Sequence, residues 1–185
     1  MYETEAFIMK KLPIFLSLEG KKILVVGGAR AALIKIKTLL EAEADFMVIA
    51  KYFLEETESL LKQAKICYEK KEVTIQDLKN IFLIFAGADR QTNDMIYLWA
   101  KQKNILCCKA DGKGDFIVPA HKREGSLTLA VSTDGLFPLL GKKICDDMDL
   151  SVGKKLECLV EQRKKILQTI PKQEQKKALQ ELLKE

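Results

Sequence analysis

Two aspartates stand where a proton-transfer group of an enzyme is expected, each behind an apolar run. Asp89 follows the run at residues 81–86, and Asp111 follows the run at residues 105–108. A carboxylate that faces a cleft can take a proton from a bound molecule. Each aspartate also has a structural interpretation. Asp89 precedes Thr92 at a spacing that suits a helix cap, and Asp111 lies in a polar, turn-forming loop.

A glycine turn provides the second chemical signal. Residues 21–40, KKILVVGGARAALIKIKTLL, read as a buried strand, a turn at Gly27 and Gly28, and an amphipathic helix. Such a turn surrounds the free N–H groups of the helix, where a pyrophosphate can bind. The dinucleotide fingerprint G-x-G-x-x-G/A fits except at Ala29, which occupies the second glycine position. A glycine-rich turn without a ligand is the alternative interpretation.

The next predicted strand lacks the acidic residue that usually accompanies this fingerprint. NAD sites commonly place Asp or Glu at the end of the second strand, where it holds the ribose 2′-hydroxyl. The strand predicted at residues 46–50 runs instead into Lys51 and Tyr52. The lysine suits the 2′-phosphate of NADP, or is simply solvated.

The composition limits the classes of function. The 185 residues, 48% of them hydrophobic, suffice for one ordinary domain and a small appendage. The net charge of +5 is too small to indicate a nucleic-acid partner, but it suits a polyanionic small substrate. No signal-peptide core follows Met1 and no apolar stretch reaches the roughly 18 residues that span a bilayer, so we expect a cytoplasmic protein without a membrane partner. The five cysteines show no C-x-x-C spacing, so we expect reduced, mostly buried thiols and no metal site.

The elements that must position these groups alternate between strand and helix as far as about residue 110. This alternation predicts an α/β fold, a Rossmann-like doubly wound parallel sheet, whose ligand lies beyond the carboxyl ends of the strands. The strand ends expected to converge on one crevice are Gly27-Gly28, Ala50-Lys51, Gly87-Ala88-Asp89 and Lys109-Ala110-Asp111.

The pattern changes from Asp115 onward. His121, the only histidine, is expected to be a solvated surface residue. The predicted segments are a strand pair at 116–120 and 127–131 with a charged turn at 121–125, a helix from about Pro138, and a helical, lysine-rich end from Val152 that is broken at Pro171.

Several short motifs follow one another in a specific order and spacing. They are LPIFL at 12–16, VVGG at 25–28, AGAD at 86–89 with Asn93, Asp111 followed by FIVPA at 116–120, and LTLAVST at 127–133 with Gly135 and Pro138. Over residues 12–145 the chain thereby resembles the siroheme synthase family, in its precorrin-2 dehydrogenase and sirohydrochlorin ferrochelatase domain. The resemblance implies three parts: an NAD-binding Rossmann-like domain (1–114), a small α+β dimerisation and substrate region (115–150) and a C-terminal helical module (151–185).

The resemblance also implies an activity. It is the NAD-dependent oxidation of precorrin-2 to sirohydrochlorin, in some members followed by insertion of ferrous iron, carried out by a homodimer. Asp111 falls on the catalytic aspartate, and Ser132, Thr133 and Gly135 fall beside the tetrapyrrole. Arg123, Lys142 and Lys143 are candidate anchors for the carboxylates of the substrate. The implied cofactor residues are Gly27, Gly28, Ala29, Arg30, Ala31, Lys51, Tyr52, Gly87 and Asp89.

Two other functions stay open at this point. One is a member of the family that has lost the use of NAD and only inserts a metal into the macrocycle. The other is a non-catalytic Rossmann-type module that senses a dinucleotide. Asp111 and the loop at Ser132 and Thr133 favour an enzyme, because a sensor needs neither.

Overall fold

The structure, a computed structural model, describes residues 11–182. The chain divides into two compact units, which meet in sequence between Ile117 and Val118. The three-part division drawn from the sequence stays a prediction.

The first unit is a five-stranded parallel sheet with the strand order β3-β2-β1-β4-β5 and helices between successive strands. The predicted doubly wound α/β fold is therefore confirmed. The elements are β1 (Ile23–Val26), α1 (Arg30–Glu41), β2 (Phe46–Ala50), α2 (Glu55–Gln63), β3 (Cys67–Lys70), a 3₁₀ turn (Ile75–Leu78), β4 (Leu83–Ala86), α3 (Arg90–Gln102) and β5 (Leu106–Lys109).

The core of this unit lies around the two central strands. All four residues of β1 and all four of β4 are buried, because helices cover both faces of a parallel sheet. Ile23 is in register with Phe46 of β2 on one side and with Leu83 of β4 on the other. The apolar stripe of α1 packs on the sheet through Ala32, Leu33, Ile36 and Leu39.

The second unit contains an antiparallel strand pair and helices. The strands are β6 (Ala120–Glu124) and β7 (Leu127–Val131), and the helices are α4 (Pro138–Asp147), a 3₁₀ turn (Ser151–Lys155), α5 (Leu156–Thr169) and α6 (Lys172–Leu182). The predicted helix start at Pro138 and the break at Pro171 are confirmed, since proline lacks the N–H of a helix interior.

The predicted position of the hairpin turn was wrong. Residues 121–124, expected in a charged turn, belong to β6, and the two-residue turn is Gly125-Ser126. Gly125 has a φ of 56°, a conformation that tight hairpin turns require and that glycine adopts without strain. The alternating burial of β6 explains its charged sequence, because only every second side chain is covered. His121 is exposed, as expected.

The cysteines agree with the prediction of mostly buried thiols, since three of the five are buried. Cys107, Cys108 and Cys145 are buried, whereas Cys67 and Cys158 are exposed, and all five are free thiols. Burial raises the pKa of Cys107 to about 12, which makes this thiol a poor nucleophile.

Within residues 11–182, no helix has the length and apolar character needed to cross a membrane.

A carboxylate ties helix α2 to the edge strand β3. Glu58 binds Lys70 of β3 at 2.7 Å and Lys62 of its own helix at 2.9 Å, and it accepts a hydrogen bond of 3.0 Å from the hydroxyl of Tyr68. The contacts with Lys70, Lys62 and Tyr68 lower the pKa of Glu58 from 4.5 to about 2. The carboxylate therefore stabilises the fold only while it is ionised.

We predict that Glu58→Gln makes the fold less sensitive to acid. The wild-type contribution of Glu58 is complete above pH 4.5 and is lost as the pH falls toward 2, because its pKa is lower in the folded chain than in the unfolded one. Thermal unfolding followed at a series of pH values should show a shallower decline in this interval for the variant. The control is Glu55→Gln on the same helix, which removes one carboxylate and keeps the three contacts of Glu58. Equal slopes for wild type and Glu58→Gln would contradict the prediction.

Candidate functional site

Three of the four strand ends that the sequence predicted to converge on one crevice, those of β1, β2 and β4, line the same cleft, whereas Lys109, Ala110 and Asp111 do not line it. The N–H of Gly27, after β1, donates to the carbonyl of Ile49 in β2 at 2.9 Å. The N–H of Gly87, after β4, donates to the carbonyl of Val26 at 2.7 Å. Gly27 has a φ of 122°, and a Cβ on it would overlap the carbonyl group of Gly87. The turn can therefore lie against β4 only without a side chain at position 27.

Gly28 is confined on the opposite side, by the segment that leaves β2. Its carbonyl accepts a hydrogen bond of 3.0 Å from the N–H of Leu54. A Cβ on Gly28 would overlap the carbonyl oxygen of Tyr52 and would lie 2.8 Å from the Cα of Phe53. Both glycines are thus required by the packing of backbone on backbone.

The helix that starts after this turn has no cap from its own chain. Ala29 is the N-cap residue of α1, it makes no side-chain hydrogen bond to the first turn, and that turn contains no acidic residue. The first N–H groups of a helix carry partial positive charge and need acceptors. An uncapped helix start behind a glycine turn is the arrangement that binds phosphate groups.

Helix α3, on the other side of the crevice, is capped. Asp89 accepts hydrogen bonds from the N–H of Thr92 at 3.0 Å and from its hydroxyl at 2.7 Å. These bonds lower the pKa of Asp89, which therefore stays ionised. The capping interpretation of Asp89 is confirmed. The side chain of Asn93, fully buried, fixes the same turn by two hydrogen bonds to the backbone of Ala88.

These turns enclose a cleft of about 530 Å³, within the range of small-molecule sites. Eight of the nine residues predicted to bind a cofactor line it, and the exposed Arg30 is the exception. The lining consists of Val26, Gly27, Gly28, Ala29, Ala31, Ala50, Lys51, Tyr52, Lys71, Glu72, Val73, Gly87, Ala88, Asp89, Thr92 and Met95.

The end of the cleft near β2 and β3 carries paired charges. Lys51 forms an ion pair with Glu72 at 2.6 Å, and Lys71 forms ion pairs with Glu69 at 2.9 Å and Asp77 at 2.7 Å. The hydrogen bond from Lys51 to Glu72 raises the pKa of the lysine. Lys71, Glu72 and Val73 were not predicted as site residues, because the four strand ends expected to form the crevice did not include the end of β3.

Asp111 lies at the same edge of the sheet, directly after β5. It is exposed and does not line the cleft. The N–H of Ala110 donates to the carbonyl of Ala86 at 2.9 Å, which extends the β4–β5 pairing up to Asp111. The loop after Asp111 closes at Gly114, where a Cβ would lie 2.9 Å from the backbone nitrogen of Lys109.

A second aspartate anchors this loop. Asp115 accepts a hydrogen bond from the N–H of Cys107 at 3.0 Å, is paired with Lys101, and donates its own N–H to the carbonyl of Cys107 at 2.8 Å. Burial alone would raise the pKa of Asp115, but the bonds from Lys101 and Cys107 outweigh it and lower the pKa. Asp115 thus clamps both ends of the loop that carries Asp111.

The predicted substrate residues form a turn at the start of α4 in the second unit. The hydroxyl of Ser132 accepts from the N–H of Asp134 at 3.0 Å, and the hydroxyl of Thr133 accepts from the N–H of Phe137 at 3.2 Å. Gly135 has a φ of 84°. These bonds hold the turn in shape.

The second unit also holds other polar groups that could meet a ligand. Arg123 donates to the hydroxyl of Thr128 at 3.2 Å, and Lys143 is paired with Asp147 at 3.0 Å. Among the described residues, no group of three or more His, Cys, Asp or Glu side chains could hold a metal ion.

The sequence of the chain is similar to those of a siroheme biosynthesis protein and of precorrin-2 dehydrogenases. Residues 14–120 match the family model described as "Putative NAD(P)-binding". The chain is 39% identical over 142 residues to "Probable multifunctional siroheme biosynthesis protein HemA" of Ruminiclostridium josui. The aligned region covers 75% of this chain but only 28% of that protein. It is 31% identical over 137 residues to the precorrin-2 dehydrogenase of Priestia megaterium, which covers 73% and 68% of the two chains.

A solved structure agrees with these matches. The structure of "SirC, precorrin-2 dehydrogenase" superposes with a TM-score of 0.73 at 29% identity, over 93% of this chain and 89% of that one. The similarity therefore includes both compact units.

We predict that Gly28→Ala destabilises the first unit. The new methyl group would meet backbone atoms of Tyr52 and Phe53, which cannot rotate away as a side chain would. Overpacking of this kind costs roughly 1–3 kcal/mol, which corresponds to about 2–12 °C in the unfolding temperature of a chain of this size. Differential scanning calorimetry measures the loss. The control is Gly112→Ala, where a Cβ would meet only the flexible end of Lys109. Equal unfolding temperatures for the two variants would refute the prediction.

Proposed function

Because this chain belongs to the NAD(P)-binding family that contains siroheme synthases and precorrin-2 dehydrogenases, we propose that it oxidises precorrin-2 to sirohydrochlorin with NAD. The observation that carries the proposal is the uncapped start of α1, which opens into a cleft of about 530 Å³. An anion-binding helix end in the crevice of a doubly wound sheet is the recurrent position of a dinucleotide. The fold match and the residues of the cleft point to the same function.

The residues of the cleft fit NAD. We assign the pyrophosphate to the backbone N–H groups of Arg30 and Ala31, in the first turn of the uncapped helix α1. The backbone of Ala29 needs no glycine, because its φ of −95° is an ordinary extended conformation. Lys51 and Tyr52 lie at the adenosine end. When bound, NAD supplies the acceptor for a hydride.

The remaining cofactor residues take the other side of the turn. The missing side chain of Gly87 leaves room for Ala32 of α1, and Asp89 holds the start of α3 at the rim of the cleft. We assign the nicotinamide half of the dinucleotide to this side. This assignment places the reacting end of the cofactor between β1 and β5, on the side of Asp111.

Asp111 supplies the base in this proposal. Oxidation of precorrin-2 removes one hydride and one proton from the macrocycle, so that the products are sirohydrochlorin, NADH and a proton. The carboxylate of Asp111 is exposed at the carboxyl edge of the sheet and can accept the proton. Asp115 supports this step by clamping the loop, because a misplaced base loses efficiency.

The second unit provides the substrate contacts that we propose. Ser132, Thr133 and Gly135 are assigned to the tetrapyrrole, and Arg123, Lys142 and Lys143 to its carboxylates. Large apolar side chains of the same unit are exposed, and in a monomer such a surface is unusual. They include Leu136 at 76%, Leu139 at 71% and Phe137 at 56% exposure, and they support the proposal that this unit mediates a homodimer.

Insertion of ferrous iron is a second candidate activity at the same place. Metalation requires removal of the two pyrrole N–H protons, and an exposed carboxylate such as Asp111 can accept them in turn. In this reaction ferrous iron is a substrate. The free state of all five cysteines fits a reducing compartment, and we propose the cytoplasm as the site of both reactions.

The function predicts a direct assay. Purified chain mixed anaerobically with precorrin-2 and NAD should produce NADH and sirohydrochlorin in equal amounts. Both products are measured by their absorption spectra. Leaving out NAD should stop the reaction. If neither NAD nor NADP supports conversion, the dehydrogenase proposal is wrong. Addition of ferrous iron to preformed sirohydrochlorin, without NAD, then tests iron insertion alone.

The role of Asp111 predicts a specific loss in Asp111→Asn. We expect the rate of NAD-dependent oxidation to fall at least about a hundredfold, because a general base is removed. Dinucleotide affinity and unfolding temperature should stay at wild-type values, since Asp111 is exposed and lies outside the cleft lining. The control, Asp45→Asn, changes an exposed aspartate that precedes β2 at the opposite edge of the sheet. Full activity of Asp111→Asn would remove the residue from the mechanism.

A further inference from the structure

One ion pair at the adenosine end of the cleft has no counterpart in the dinucleotide fingerprint. Lys51 follows β2, Glu72 follows β3, and their Nζ and Oε1 atoms are 2.6 Å apart. Both residues line the cleft. Because β2 and β3 are neighbours in the sheet, this pair is the place where two strand ends bring opposite charges to the same rim.

The location of the pair gives it a chemical meaning. In a doubly wound sheet, the pyrophosphate sits at the first helix and the adenosine ribose lies beside the end of the second strand. That position commonly carries an acid, which accepts a hydrogen bond from the ribose 2′-hydroxyl and repels a 2′-phosphate. Here the position holds Lys51, which taken alone would attract the 2′-phosphate of NADP.

We infer that Glu72 supplies the carboxylate that receives the ribose 2′-hydroxyl, and that the Lys51–Glu72 pair makes the site select NAD over NADP. The inference rests on the proposed function. Glu72 occupies Lys51, so the lysine is no longer a free cation for a phosphate. The side chain of Glu72 is 74% exposed, so the second oxygen of its carboxylate is accessible to a ligand in the cleft.

The neighbouring charges act in the same direction. Lys71, which also lines the cleft, is paired with Glu69 and Asp77. Both lysines at this end are therefore engaged by carboxylates, Lys51 by Glu72 inside the cleft lining and Lys71 by Glu69 and Asp77 outside it. A 2′-phosphate would have to compete with these carboxylates for either lysine, whereas a ribose hydroxyl would not.

The test compares dinucleotide affinities of the full chain. Dissociation constants for NAD and NADP are measured by isothermal titration calorimetry for wild type, Glu72→Gln, and the double variant Lys51→Gln/Glu72→Gln. The matched control is Glu56→Gln, because Glu56 is an exposed glutamate paired with a lysine, Lys37 at 3.0 Å, and does not line the cleft. Unfolding temperatures verify that each variant is folded.

We expect the wild type and Glu56→Gln to bind NAD more tightly than NADP. In Glu72→Gln, the ratio of the two affinities should move toward NADP by about tenfold, since a hydrogen bond to a charged group is lost and Lys51 is released. The double variant should lose the gain in NADP affinity. An unchanged ratio in Glu72→Gln, with NAD still bound, would overturn the inference and leave the proposed function standing. Binding of neither dinucleotide to the wild type would overturn both.

Discussion

The structure depends on the close approach of three backbone segments at the centre of the sheet. The turn after β1 is held between the carbonyl of Gly87 on one side and the carbonyl of Tyr52 on the other, with no space for a Cβ at Gly27 or Gly28. Gly87 in turn faces Ala32 of α1, because a Cβ added to Gly87 would lie 3.1 Å from the backbone nitrogen of Ala32. These approaches bring α1 directly onto the sheet, so that its first turn opens between the ends of β2 and β4. The cleft is a consequence of this packing.

This constraint explains why α1 can begin without a cap. A capping side chain at position 29 would occupy the N–H groups that the cleft presents, and Ala29 makes no such bond. The helix start therefore carries unsatisfied donors that water or an anion must accept. Helix α3 shows the opposite solution, since Asp89 closes its first turn. One helix start is thus stabilised by a capping side chain, whereas the neighbouring one has no such cap.

The sequence predicted those features that depend on local pattern. The buried strands, the glycine turn, the cap at Asp89 and the break at Pro171 each follow from residue type and spacing over a few positions. The hairpin of the second unit was misplaced because the charged residues 121–124 look like a turn, although alternate burial makes them a strand. Glu72 was missed for a different reason: its relation to Lys51 arises only when β2 and β3 become neighbours, which the linear pattern does not reveal.

The charges around the cleft differ between its two ends and its middle. Its middle carries the partial positive charge of the α1 start, and one end carries the ion pairs of Lys51 and Lys71 with their carboxylates. The other end is bordered by Asp89, whose charge is already used by Thr92. A dinucleotide can use the first end through its ribose hydroxyls and the middle through its pyrophosphate, which leaves its other half on the side of β4 and β5. Asp111 follows β5, so the same arrangement that orients the cofactor also determines which half of it comes near the proposed base.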